Sequence, residues 1–233
     1  MEIPTGLVAD TQDHAIDILA TCFVNDAFQR YLVCDHLNIQ DDRDFDVSVN
    51  RRAFEEFMPM ITEGEETALV TVPGSAITSI WYVVIICFDI GILIIWVRRS
   101  LEDLPEGDKE DNEHVPRVLA GLEHEATQAR KRVFSAPCKI LHLLLVANDR
   151  ASVVVGKEKP PSIGNVMRPM LAMAKEKGWA VCLEATSARS RDVYKYLGFE
   201  VIGELCVGKG HADSDGRRLE GGPGIPMWVM MCL

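Results

Sequence analysis

The sequence predicts an α/β fold, and three observations carry that expectation. From Lys139 to Phe199 the chain reads apolar run, glycine-containing loop, helix, short apolar run and short helix, which is strand, turn, helix, strand, helix. Within it, Ile140 to Ala147 is almost continuously apolar, as a central strand covered on both faces requires. The chain has 233 residues, 48% of them hydrophobic, enough for one sizeable α/β domain with a packed core.

Taken in order, the elements justify themselves locally. Asp10 and Thr11 are helix N-cap types, and Ile16, Leu19 and Phe23 recur at helical spacing, so residues 11–33 read as an amphipathic helix with a break near Asn25-Asp26. The acidic stretch Asp41 to Asp46 reads as a loop. A second helix carries Phe54, Phe57 and Met58 on one side, and Pro59 is expected to kink it or end it early. Thr67 to Val72 is rich in β-branched residues and stops at a Pro73-Gly74 turn.

Ile80 to Val97 is almost wholly apolar, is interrupted by Asp89 and Gly91, and has two readings. It is just long enough for a membrane helix, yet a central Asp opposes insertion by roughly 2.5–3.5 kcal/mol while each aliphatic residue favours it by only about 0.3–0.6. The competing reading is a buried hairpin of two core strands joined at Asp89-Ile90-Gly91, which the β-branched and aromatic enrichment favours. Leu101 to His114 carries seven acidic residues with Pro105 and Gly107 and reads as an exposed acidic linker.

Val118, Leu119, Leu122 and Ala126 mark another amphipathic helix running towards Arg132. Its His124-Glu125 begins like a zinc-binding HExxH, but position 128 is Gln, so the second imidazole is missing and no metal site is expected. After the strand at 140–147 and a mixed loop, Ser162 is an N-cap type for a helix over Ile163 to Lys177, with Val166, Met167, Met170, Leu171 and Ala174 inward and Gly178 as its stop. Trp179 to Ala185 is a short strand containing Glu184, Ser190 to Leu197 a short helix ended by Gly198, and Phe199 to Leu205 a strand. A loop with six glycines, Gly208 to Pro226, leads to a last strand at Met227 to Cys232.

Charge and cysteine usage narrow the function classes. A net charge of −11 argues against a general nucleic-acid or anionic-membrane binder, without excluding a local basic pocket for one anionic ligand. Seven cysteines, none in CxxC spacing and most inside apolar runs, fit buried thiols in a reducing, cytoplasmic setting. Met1 to Ala9 lacks the pattern of a secretory signal. A strand, turn and helix bring backbone N–H groups together at a helix N-terminus, which suits a pyrophosphate; Gly164 in the first turn allows close approach, and Lys157 and Lys159 add positive charge. A purely structural turn accounts for these residues equally well.

The segment resembles the GCN5-related N-acetyltransferase (GNAT) superfamily, particularly its small fungal members. The matching residues are His142-Leu143-Leu144-Leu145-Val146, Ile163-Gly164, Met167-Arg168-Pro169-Met170-Leu171, Leu183-Glu184-Ala185-Thr186-Ser187, and Val193-Tyr194-Lys195-Tyr196-Leu197-Gly198-Phe199 running on to Gly203. Pro226 to Met230 resembles the last strand of those proteins. The resemblance implies a GNAT fold, a mixed central sheet flanked by helices, over residues 1–233 as a single domain, with 80–97 an atypical apolar insertion.

It also implies an activity, transfer of acetyl from acetyl-CoA to a small-molecule amine without a covalent acyl-enzyme. Such transfer needs a neutral amine, a polarised carbonyl and a protonated leaving thiol. By the resemblance, Tyr194 falls at the general acid and the backbone N–H of Leu145 or Val146 at the carbonyl. Lys159, Ser162, Ile163 and Gly164 fall at the pyrophosphate loop, and Ser190 falls where many relatives carry an asparagine near the cofactor. Glu184 is the candidate base, with a structural partner role as its alternative. His142 is a weaker candidate, more simply read as a core histidine. Two departures stand out: Lys159-Pro160-Pro161-Ser162-Ile163-Gly164 keeps only the last glycine of the family's loop, and two prolines remove N–H donors. A GNAT-like binding module that has lost catalysis, and a form anchored in a membrane through 80–97, are the rival readings.

Overall fold

The computed structural model describes residues 1–37, 39, 42–62, 67–86, 114–134, 138–151 and 161–233. Their strands form one seven-stranded sheet: β1 (Val8–Ala9), β2 (Thr67–Thr71), β3 (Ile77–Ile86), β4 (Cys138–Asn148), β5 (Ala180–Ala185), β6 (Glu200–Val207) and β7 (Ile225–Cys232), in the order β1-β2-β3-β4-β5-β7-β6. Every neighbouring pair is antiparallel except β4–β5, which is parallel. A parallel pair needs a crossover, and the helix over Ile163–Glu176 lies within it.

The helices are α1 (Gln12–Phe23), α2 (Ala27–His36), α3 (Val47–Thr62), α4 (His114–Val133), α5 (Ile163–Glu176) and α6 (Ala188–Tyr196). They cover both faces of the sheet. Val166, Met167, Met170 and Ala174 of α5 and Tyr194 of α6 pack with Leu141, Leu143, Val181 and Leu183 on one face. On the other, α1 and α3 meet Ile80 and Ala147, and α4 packs Ala126 and Ala129 against Leu205, Met227 and Val229. Strand alternation sorts the central residues: Leu141 and Leu143 point to the α5 face, and Ile140 belongs to a separate cluster with Cys182. Gly203 permits the close approach of α4, since a Cβ there would lie 2.8 Å from that of Ala129.

The break expected near Asn25-Asp26 is present and divides that stretch into α1 and α2, with Asp26 capping α2 by accepting from the backbone N–H of Gln29 at 2.9 Å. Several other outcomes differ from expectation. Pro59 does not end α3, which continues to Thr62. Phe54 and Met58 anchor that turn against α1, and the Thr62 hydroxyl donates to the Met58 carbonyl at 2.7 Å. The helix expected from Ser190 begins at Ala188, with Ser187 as its cap. Within Asp41 to Asp46, a short 3-10 turn occupies Asp42–Asp44.

The apolar run at 80–97 is corrected in its membrane reading. Ile80 to Ile86 are strand, paired with β4 throughout and with β2 as far as Tyr82, so no helix spans the whole run. No helix among the described residues is long and apolar enough to cross a membrane. The proposed turn at Asp89-Gly91 and the second arm of the hairpin lie outside the described residues, as does the acidic stretch up to Glu113.

Candidate active site

The site begins where two parallel strands stop pairing. The β4–β5 ladder ends at Leu143↔Leu183, yet β4 runs on to Asn148 and β5 to Ala185. The other edge of β4 explains the divergence. Ile80 pairs with Leu145 and Trp81 with Leu143, so Leu144 is an extra residue, a bulge that bends the strand. Beyond it lies a cavity of about 720 Å³, lined by Leu144 to Asn148 on one strand, by Leu183 and Glu184 on the other, and by Thr186 just after it.

One end of the cavity is the start of α5. Ser162, Ile163 and Gly164 line it. Asn165 Oδ1 accepts from the Ser162 N–H at 2.8 Å and from its hydroxyl at 3.0 Å, and Asn148 Nδ2 donates to the Pro161 carbonyl at 3.1 Å. The first N–H groups of a helix have no partner within it, and the dipole there favours an anion. Arg150, Arg168 and Arg189 also line the cavity, and the Arg168 guanidinium carbon lies 3.7 Å from where a Cβ on Gly164 would stand. That end is electropositive.

The rest of the lining is largely apolar and carries carboxylates. Phe23, Phe28, Phe54 and Phe57 contribute aromatic wall, and Asp26, Glu123 and Glu184 contribute carboxylates. Two of these belong to a buried network: the Arg130 guanidinium, 5% exposed, donates to Glu123 Oε1 at 3.1 Å and to Glu184 Oε1. Glu184 Oε2 lies 2.7 Å from His142 Nε2. Burial alone would raise the Glu184 carboxyl, but the neighbouring His142 and Arg130 charges and hydrogen bonds outweigh it and bring it down to about 2. Asp26 differs: burial pushes its carboxyl up, against hydrogen bonds that include one from the Thr186 hydroxyl at 2.5 Å.

No family model and no curated protein matches the sequence. Solved structures do. A mutant agmatine N-acetyltransferase in its apo form aligns with a TM-score of 0.58 at 14% identity, covering 97% of each chain. Arylalkylamine N-acetyltransferase 2 from Aedes aegypti aligns at 0.55 and 15% identity, again covering 97% of each. The Drosophila melanogaster polyamine N-acetyltransferase aligns at 0.53 and 12% identity, covering 97% of this chain and 98% of that one.

This chain has the GNAT fold.

Within that fold, the cavity brings together most of the residues singled out from sequence. Leu145, Val146, Ser162, Ile163, Gly164, Glu184, Ser190 and Tyr194 all line it, while Lys159 lies outside the described residues. Pro161 is not part of the lining, so it does not close the α5 end. Tyr194 is buried, its ring edge-on to Phe199 at 5.9 Å; burial, then the Asp26 charge, push its phenol upward, so it stays protonated at neutral pH.

Two residues carry more structural duty than the sequence suggested. The Ser190 hydroxyl receives the Ser187 N–H at 3.1 Å and lies 2.9 Å from the Ser187 carbonyl, closing the cap of α6. Both Glu184 oxygens are engaged, which suits an anchoring carboxylate better than a proton acceptor. Sequence reasoning missed Asp26, Glu123 and Arg130. Asp26 left a signal as a break between helices, whereas Arg130 and Glu123 looked like ordinary charges on an amphipathic helix.

Proposed function

We propose that this chain is an acetyl-CoA-dependent N-acetyltransferase acting on a small primary amine, working as a single domain. One observation carries the reading: the β4–β5 divergence opens a cavity lined by the start of α5 and three arginines, and also by aromatic rings and the carboxylates of Asp26, Glu123 and Glu184. Such a lining suits both a long anionic thioester and a cationic apolar acceptor. Structural neighbours named for agmatine, arylalkylamine and polyamine acetylation support a small amine as acceptor. The resemblance to small fungal members extends the reading to secondary metabolism or detoxification, and a cysteine usage without CxxC spacing suits a cytoplasmic enzyme, although only Cys34 and Cys182 of the described cysteines are buried.

The residues present fit the co-substrate. Ile163 and Gly164 offer N–H groups to a pyrophosphate, and Arg150, Arg168 and Arg189 supply the positive charge. The co-substrate supplies an activated acyl group. The chain supplies the rest: β4 N–H groups at Leu145 or Val146 donate to the carbonyl oxygen, Tyr194 protonates the departing sulfur, and Asp26 draws the ammonium in. Exclusion of water by the aromatic wall strengthens each of these interactions.

Thermal unfolding with added acetyl-CoA tests the reading, followed by thiol release with a panel of aryl- and alkylamines. A ligand at a hundred times its Kd stabilises a protein by about 2.7 kcal/mol. No shift at saturating acetyl-CoA rejects the transferase reading. A shift without thiol release favours the second reading, a GNAT-like binding module, which the Pro160-Pro161 interruption of the loop supports.

A further inference from the structure

We propose that the solvent-side row of α6, Arg189, Val193 and Tyr196, is a nucleotide shelf. On it the Tyr196 ring stacks against the adenine of acetyl-CoA, and the Arg189 guanidinium pairs with a phosphate of the same nucleotide. The inference deepens the transferase reading and rests on it.

It starts from helical spacing. Arg189, Val193 and Tyr196 stand at i, i+4 and i+7, and Ser190, Tyr194 and Leu197 form the row beside them. Both rows line the cavity. The inner row is committed to the fold: Tyr194 is buried, Leu197 packs on the core and the Ser190 hydroxyl closes the helix cap. The outer row is not. Val193 is exposed, and Tyr196 is 81% exposed, the one aromatic side chain so open among the described residues. Tyr31, Tyr82 and Tyr194 are all buried. A scattered exposed ring needs no explanation, but one that lines a cavity together with unpaired cations does.

Those cations are the second observation. Arg191 is used internally: its guanidinium carbon lies 4.8 Å from the Trp228 ring centroid, and its Nη2 lies 2.9 Å from Asp192. Arg189 makes no such contact among the described residues, and neither does the guanidinium of Arg150 or Arg168, although all three arginines line the cavity. In a chain of net charge −11, arginines left without a carboxylate are placed to receive an anion.

A flat ring and a free guanidinium on one helix match a purine nucleotide. Every base offers a face for stacking, and a guanidinium binds phosphate oxygens through a two-pronged fork. Placement selects the nucleotide of acetyl-CoA. The reacting thioester belongs beside Tyr194 on the inner row, so the adenosine belongs toward solvent, where the outer row faces. The shelf also answers the loop ahead of Ile163, where Pro160 and Pro161 remove two backbone donors; side-chain contacts on α6 offset that loss.

Titration calorimetry with acetyl-CoA tests the shelf. Tyr196→Ala is expected to raise Kd about 10-fold or more, while Tyr196→Phe, which keeps the ring face, stays within about twofold of wild type. Arg189→Ala is expected to raise Kd as well, by a factor that shrinks as salt rises. The bisphosphorylated adenosine fragment of CoA is expected to displace acetyl-CoA from wild type, and about 10-fold less well from Tyr196→Ala. Both side chains are exposed, so each variant is expected to keep the wild-type Tm without ligand. Equal affinity of wild type and Tyr196→Ala, or an equal loss in Tyr196→Phe and Tyr196→Ala, overturns the stacking proposal and leaves the transferase reading standing. A wild-type dimer in sedimentation that Tyr196→Ala dissociates shows a second copy covering the ring, and overturns it too. A wild-type protein that binds no acetyl-CoA overturns both.

Discussion

Arg130→Met offers the most demanding check on the buried network. The guanidinium sits between Glu123 and Glu184 and is 5% exposed, and Glu123 is 6% exposed. Methionine keeps much of the apolar stem but removes the cation, leaving Thr127 and His142 as the partners of two buried carboxylates. Removing one partner of a buried ion pair costs about 3–5 kcal/mol, and most of that is the uncompensated charge left behind. For a chain of this length each kcal/mol lowers Tm by about 2–4 °C, so a fall of roughly 6–20 °C is expected. The penalty should shrink as pH falls. Without Arg130 the folded carboxyls bind protons at higher pH than in the wild type, so acid favours the folded variant relative to the folded wild type. Urea unfolding followed by circular dichroism at pH 7 and near pH 5 measures both quantities. A loss under about 1 kcal/mol at pH 7, or a gap that widens as pH falls, would falsify the account of a charge-balanced buried cluster.

Three further outcomes follow from the same geometry. Tyr194→Phe preserves the packing on Phe199 and removes the proton donor, so kcat should drop about 100-fold or more with the KM for acetyl-CoA nearly unchanged; an unaltered kcat removes Tyr194 as the acid. Glu184 is held at about 2 against an ordinary 4.5, so its stabilisation is complete above pH 4.5 and is lost as pH falls through 2, on the order of 3 kcal/mol in all. Acid titration of Glu184→Gln should lack that component, and an acid limb identical to wild type would show that the carboxylate is not preferentially ionised in the fold. Gly203→Ala drives a Cβ to 2.8 Å from Ala129 and should cost about 1–3 kcal/mol, recovered in part by adding Ala129→Gly; no recovery would mean the strain lies elsewhere.

Much of the fold was legible because its signals are local. The Ser162 cap, the apolar face of Val166, Met167 and Met170, and the run at Ile140 to Ala147 each sit within one element and follow its period. The Tyr194 position followed from the part of the resemblance carried by the contiguous residues Val193 to Gly203. Illegibility begins where partners are distant. The Leu144 bulge lies inside a uniformly apolar run, so no residue type marks it; only pairing with β3 reveals the extra residue. Asp26 is bonded to Thr186, 160 positions away, and Arg130 to Glu184, 54 away.

The amino-acid order alone therefore determined which segments are helix or strand, since backbone periodicity and capping act over a few residues. It also determined that a glycine-bearing helix start follows a buried strand. Tertiary structure decided where two parallel strands part and which ionised groups share one buried space. Both depend on register and on desolvation, and neither is set until distant segments pack together.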